Sequence, residues 1–244
     1  MDPEAKPSAK NLTIAIAIVI AGAIVAGAIV LAAIILSLSD HGALARGADG
    51  GQQPSPIADI DQVKIAGEPV IGRQNAPLTI AYWYDYQCPF CRRNEESAMP
   101  RIVKDYVDAG KAKIVFKDFA FLGADSQTLG KFSRAVWAVA PKKFYQWHKA
   151  VFDNQGTENT GWATHDKIMS ITAGVLGTSD VATVNQLVTT NGAAYQGEMD
   201  ADKGEGAALG VTGTPAFVIG KQLIEGAQPY AAIKEVIDLT LAGK

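Results

Sequence analysis

The chain of 244 residues holds two cysteines, and they form one motif, Cys88-Pro89-Phe90-Cys91. A thiol pair at this spacing supports thiol–disulfide exchange, in which a thiolate attacks a disulfide sulfur and a mixed disulfide is resolved by a second thiol. The reaction needs one sulfur ionised near neutral pH. Flanking sequence supplies the means. Leu78 to Tyr84 (LTIAYWY) is rich in aromatic and β-branched residues and reads as a buried strand. Arg92 to Val107 carries apolar residues at helical spacing, with a kink expected at Pro100. The cysteines therefore fall at a strand-to-helix junction. There the helix dipole and the free N–H groups of the first turn favour thiolate. Pro89 suits that turn, whose N–H groups have no intrahelical partner.

Other chemistry is thinly represented. A zinc site would need ligands beyond these two thiols, and three histidines (His41, His148, His165) make a poor reserve. A purely structural disulfide would close a very short loop, where loop-closure entropy gives little stabilisation. Trp137, Trp147, Trp162 and His148 read as packing residues of a helical region. His165-Asp166 lacks a nucleophile motif to serve, and Gly204-Glu205-Gly206 lacks the third glycine and the preceding strand of a phosphate loop. No cofactor and no metal are expected. With 22 basic against 25 acidic side chains, the formal net charge of −3 argues against nucleic-acid binding.

The elements around the motif alternate. A short strand is expected at Val63–Ile65, followed by a turn at Gly67-Glu68-Pro69. After the first helix, ended by Gly110, comes a strand over Lys113–Phe119, so a parallel crossover joins it to Leu78–Tyr84. A helical insertion of four or five helices should fill about 125–208, with Val181–Val188 and Ala193–Leu209 as separate helices. Pro215–Ile219 then forms a strand, turns at Gly220-Lys221 and pairs with Gln222–Ile224. A helix over Pro229–Leu241 closes the chain. The class is α/β.

Two segments now carry a family resemblance. Asp85-Tyr86-Gln87-Cys88-Pro89-Phe90-Cys91 and Val211-Thr212-Gly213-Thr214-Pro215-Ala216-Phe217 resemble the paired active-site segments of DsbA-like thioredoxin-fold proteins, most nearly the membrane-anchored DsbA/BdbD type. Pro69-Val70-Ile71-Gly72 through Asn75-Ala76-Pro77-Leu78-Thr79-Ile80 resembles the lead-in to that family's central strand. The resemblance implies a thioredoxin-like fold with an inserted helical domain. It implies that Cys88 is the exposed nucleophile, Cys91 the buried resolving thiol and Pro215 a cis-proline facing them. Thr214 would offer its backbone to an extended substrate peptide. There are two departures. Phe90 stands where the strongest oxidases of the family carry histidine, and it cannot donate a hydrogen bond to a thiolate, so a less depressed thiol pKa is expected. Tyr82 stands where many relatives carry a buried acid. Asp85, the nearest acid, falls on the other face of the strand by alternation. The group that takes the proton of Cys91 is left open.

The amino-terminal quarter has another character. Asn11 to Ser39 contains no charged side chain, and Leu12–Leu38 is almost wholly apolar. At about 1.5 Å per residue it makes roughly 40 Å of helix, longer than a hydrocarbon core of about 30 Å. It is also too long for a cleavable signal core of about 7–15 residues, although Ala43-Leu44-Ala45 resembles a cleavage site. The expected organisation is a cytoplasmic N-terminus (1–10), a single transmembrane signal-anchor (11–39), a Gly/Pro-rich linker (40–58) and the catalytic domain (59–244). Lys6 and Lys10 before the span place the domain outside the cell membrane. The function expected is disulfide introduction into exported, cysteine-bearing proteins, with a membrane redox partner, DsbB-like or quinone-linked, restoring the Cys88–Cys91 disulfide. Two alternatives stay open: an extracytoplasmic reductase or isomerase using the same dithiol, and a non-enzymatic peptide-binding module with an inert disulfide.

Overall fold

The computed structural model describes residues 58–243. The expected anchor (11–39), the residues before it and the linker up to 57 lie outside the described residues. The last expected linker residue, Ala58, is fully buried against the sheet. Among the described residues no helix is long and apolar enough to cross a membrane.

Five strands form one sheet in the order β1-β3-β2-β4-β5. They are β1 (Val70–Ile71), β2 (Leu78–Tyr84), β3 (Ala112–Asp118), β4 (Ala216–Ile219) and β5 (Gln222–Glu225). β2 runs parallel to β3, with Tyr82 opposite Phe116, and antiparallel to β4, with Tyr82 opposite Phe217. β1 and β5 close the edges in antiparallel pairs. The continuous apolar sequence of β2 follows from its central place, with both faces covered. Leu78, Ile80, Tyr82 and Tyr84 enter the larger core with the helices, while Ala81 and Trp83 enter a smaller one with Phe119, Leu209, Val211 and Val218.

The first helix is interrupted. α1 (Pro89–Ser97) ends at Ala98, α2 (Met99–Ile102) carries Pro100 in its first turn, and one π-turn over Val103–Val107 follows, closed by Asp108 N–H on the Val103 carbonyl at 2.8 Å. Pro100 has no N–H to give the turn before it, so the ladder breaks there. Gly110, at φ +69°, turns the chain into β3.

The insertion consists of α3 (Ala124–Val139), a 3-10 turn (Pro141–Lys143), α4 (Phe144–Asp153), α5 (His165–Leu176) and α6 (Thr178–Ala208). α7 (Tyr230–Leu241) closes the fold, burying Ile233 and Ile237. Two expectations are corrected. Val63–Ile65 is not a strand, because side chains satisfy the backbone there: Glu205 Oε1 accepts from Lys64 N–H at 2.7 Å, and Lys117 Nζ donates to the Lys64 carbonyl at 3.0 Å. The two helices expected over 181–209 are one 31-residue helix. Its glycines read locally as breakers, yet none adopts positive φ. Gly206 permits close contact instead: a Cβ there would lie 2.7 Å from Nε1 of Trp83.

Candidate active site

Cys88 is the N-cap of α1, Pro89 occupies its first turn, and Cys91 lies within that turn. The end of β2 and the loop after it are fixed by Asp85. Its buried carboxylate accepts from Gln87 N–H (2.8 Å), Ser126 Oγ (2.6 Å), Phe121 N–H (2.9 Å) and Leu122 N–H (3.0 Å). Asp85 is thus fully engaged in holding the loop. From the insertion, Gln155 Nε2 donates to the carbonyls of Tyr86 (2.7 Å) and Cys88 (3.1 Å). Sequence reasoning did not single out Gln155, and its distance along the chain hides its role.

Opposite the dithiol, Thr214–Pro215 is a cis peptide bond immediately before β4. The Cys88 thiol donates to the Thr214 carbonyl at 3.3 Å, so the two segments separated in sequence meet at this contact. Both cysteines are free thiols. Cys88 is 4% exposed and Cys91 fully buried. The resemblance led us to expect an exposed nucleophile; instead the Cys88 sulfur is sheltered by the Thr214 segment, and Phe90 carries the exposure at 53%. The Arg93 guanidinium sits over the Phe90 ring, 5.0 Å from its centroid.

The two thiols are electrostatically unequal. Cys88 is lowered to about 6, chiefly by the hydrogen bond from the Cys91 thiol. Burial opposes this, and the backbone N–H groups of Cys91 and Phe90 add to the lowering. These donors come from the helix start, so the depression needs nothing from the Phe90 side chain. Cys91 is pushed well above its ordinary value by burial first and then by Cys88 itself, to which its thiol donates a hydrogen bond. One sulfur is therefore poised as nucleophile or leaving group, while its neighbour retains a proton in the reduced form.

Beside Cys91 lies a group of buried polar side chains that sequence reasoning missed. α1 turns three residues inward, Cys91, Asn94 and Glu95. Their spacing of three and four is the signal that could have found them. Glu95 Oε1 meets His148 Nε2 at 3.2 Å, and His148 Nδ1 meets the Tyr86 hydroxyl at 2.9 Å. Tyr86 in turn donates to Ser133 Oγ at 3.1 Å. His148, expected to be a packing residue, is fully buried among aromatic rings and is also a link in this chain. Trp147 is fully buried with Nε1 on Thr172 Oγ1 at 2.9 Å, while Trp137 and Trp162 pack against the same core half-buried. His165 and Asp166 are exposed.

A cysteine pair at a helix start, facing a cis-proline at one end of a five-stranded mixed sheet, defines the thioredoxin-like class with an all-helical insertion. A family profile described as Thioredoxin matches residues 64–239. The chain is 30% identical over 192 residues to "Disulfide bond formation protein D" of Bacillus subtilis (strain 168), covering 75% of this chain and 81% of that protein. It is 26% identical over 172 residues to "Probable disulfide bond formation protein D" of Bacillus cereus, covering 70% and 77% respectively. Among solved structures, oxidised BdbD from Bacillus subtilis aligns with a TM-score of 0.69 at 25% identity, over 77% of this chain and 99% of that one. The thiol–disulfide exchange protein α-DsbA2 from Wolbachia pipientis shares the fold, with a TM-score of 0.64 at 23% identity over 74% and 90%. The chain belongs to this thioredoxin family and is a DsbA/BdbD-like thiol–disulfide oxidoreductase.

Proposed function

We propose that this protein is a membrane-tethered dithiol oxidase that introduces disulfides into exported proteins by exchange at Cys88–Cys91. The observation that carries this reading is the inequality of the two thiols, with Cys88 lowered to about 6 by hydrogen bonds from Cys91 and the helix start, and Cys91 raised by burial. In the oxidised enzyme a substrate thiolate attacks Cys88 Sγ. The Cys88–Cys91 bond breaks, its electron pair goes to Cys91, and a proton follows it. A second substrate thiolate then attacks the substrate sulfur of the mixed disulfide. The substrate leaves oxidised and Cys88 leaves as a thiolate, already stabilised by its setting. The two electrons now rest on the dithiol, and a membrane redox partner, DsbB-like or quinone-linked, removes them.

Thr214 and Pro215 give an extended substrate a backbone to lie against, a form of strand addition. Exposed Phe90 offers apolar contact to an unfolded chain, and with Pro89 it tunes the dithiol from within the motif. The name borne by the Bacillus relatives, disulfide bond formation, favours the oxidising direction. For the tether, the support is the uncharged apolar run over 11–39, with the N-terminus in the cytoplasm and the catalytic domain on the outer side of the cell membrane.

The test is oxidation of a reduced, unfolded secretory protein by the full-length chain in detergent, beside Cys88→Ser. Equal activity in both would end the reading. A reduction potential then fixes direction, because strong oxidants of this chemistry lie near about −120 mV and reductants near about −270 mV.

A further inference from the structure

The helix that carries the dithiol has an exposed side as well as a buried one. Phe90, Arg93, Ser97 and Arg101 recur at intervals of three and four residues and form one stripe along α1 and α2. This stripe faces the segment between β5 and α7. Arg93 Nη2 donates to the Ala227 carbonyl at 3.3 Å, and the Arg101 guanidinium lies 3.9 Å from the centroid of the Tyr230 ring. One residue before Ala227, Gly226 N–H donates to the Pro215 carbonyl at 2.8 Å. The seam therefore begins at the cis-proline, beside Cys88, and runs away from it along the helix.

Its charge is unbalanced. Arg92 pairs with Glu96 at 2.8 Å. Arg93 and Arg101 are exposed, and neither forms an ion pair among the described residues. Asp105, one turn beyond Arg101, is engaged by the Tyr230 hydroxyl. Each of the two guanidiniums lies instead on an aromatic ring, Arg93 on Phe90 and Arg101 on Tyr230. A guanidinium resting on a ring keeps its edge donors for a carboxylate, which it can take in a two-pronged fork.

We propose that Arg93 and Arg101 select substrate segments with acidic side chains near the reacting cysteine, docking the carboxylates on guanidiniums that Phe90 and Tyr230 hold in place. This rests on the exchange reading above and names a substrate class for the same site. From Cys88 the helical rise is about 7 Å to Arg93 and about 20 Å to Arg101. An extended chain covers about 3.3 Å per residue, so acids about two and about six residues from the attacking cysteine meet the two arginines. Phe90, between Cys88 and Arg93, takes the apolar contact. The arginines touch substrate side chains and not the reacting sulfurs, so they set specificity. Lysine at the same substrate positions is repelled.

The experiment measures how fast excess single-cysteine peptides reduce the oxidised full-length chain in detergent, by acid quenching and mass spectrometry. The peptides carry Glu, Gln or Lys two and six residues from the cysteine, in separate series for its two sides. A peptide's charge also alters its own thiol, so each rate is divided by that of the same peptide with the uncharged bis(2-hydroxyethyl) disulfide. We expect Glu to exceed Lys by about tenfold in at least one series at low ionic strength, and the ratio to shrink in about 0.5 M salt. Arg93→Gln should lower the ratio by about threefold to fivefold and Arg101→Gln by less, while Arg93→Glu should turn the preference towards Lys. Arg73→Gln, the same change of net charge before the start of β2, should keep the wild-type ratio. Equal rates for Glu and Lys peptides in wild type, or a ratio unchanged in both Arg93→Gln and Arg101→Gln, would overturn the assignment. A wild-type chain that no peptide reduces would instead overturn the exchange reading itself, and this one with it.

Discussion

Two groups of buried polar side chains lie in this domain, and they are finished differently. At the C-terminal end of β3, Arg134 bonds Asp118 (2.7 Å), Glu68 (2.6 Å) and Asp202, while Lys117 meets Asp202 (2.7 Å), Glu205 (2.9 Å) and Glu68 (3.4 Å). Every carboxylate there faces a cation, and Asp202 also accepts from Asp118 N–H at 2.9 Å. Burial raises Glu68 and Asp118, with the neighbouring Asp202 carboxylate adding to it, while the acids hold Lys117 and Arg134 charged against that same burial. The cluster ties α3, α6, β3 and the segment before β1 together. Under Cys91 the group holds no Lys or Arg: Glu95 meets the His148 ring through Oε1, and Asn94 and Tyr82 lie beside it. A network of paired charges fixes architecture, and its removal is costly; a neutral-rich one has less to lose.

This contrast can be broken or sharpened by experiment. The largest effect on activity is expected from Cys88→Ser, which should bring substrate oxidation down to the uncatalysed level while leaving the thermal transition in place. The largest effect on stability is expected in the closed network. Arg134→Met strands buried carboxylates and should cost about 3–5 kcal/mol in denaturant unfolding, with exchange intact in the folded fraction. A stability loss as large in Glu95→Gln would erase the distinction between the clusters.

Smaller effects belong to tuning. A histidine at position 90 would give the Cys88 thiolate a donor that Phe90 lacks. Phe90→His should lower the Cys88 pKa below about 6 by roughly one unit, in line with about 1.5–3 kcal/mol for a hydrogen bond to a charged group. Alkylation at acid pH would report it. The smallest effect is thermodynamic. Cys88 titrates below its unfolded value, so its thiolate stabilises the reduced fold fully above the ordinary thiol value of about 9. That contribution is lost as pH falls through about 6. Stability of the reduced chain relative to the oxidised chain should therefore decline between those limits.

The sequence shows the site more readily than its support. Cys88, Cys91 and the Thr214-Pro215 pair announce themselves because their chemistry is tied to short local motifs, and β2 because a strand buried on both faces is apolar throughout. The length of α6 is hidden because Gly192, between the two expected segments, looks like a helix breaker in isolation. Val63–Ile65 has the composition of a strand, yet Glu205 and Lys117, remote in sequence, bind its backbone. Gln155, Glu95 and the partners of Arg134 acquire their roles only when distant elements meet. Glu95 alone left a local trace, its helical spacing from Cys91.

The central claim is that the dithiol is split into one ionisable sulfur and one that keeps its proton. Brief iodoacetamide labelling of the reduced full-length chain over a pH series, with the modified cysteine identified by mass spectrometry, tests this directly. The account predicts label on Cys88 alone, with a rate that rises through a midpoint at about pH 6. Equal labelling of Cys91, or a Cys88 midpoint at the ordinary thiol value, would contradict it.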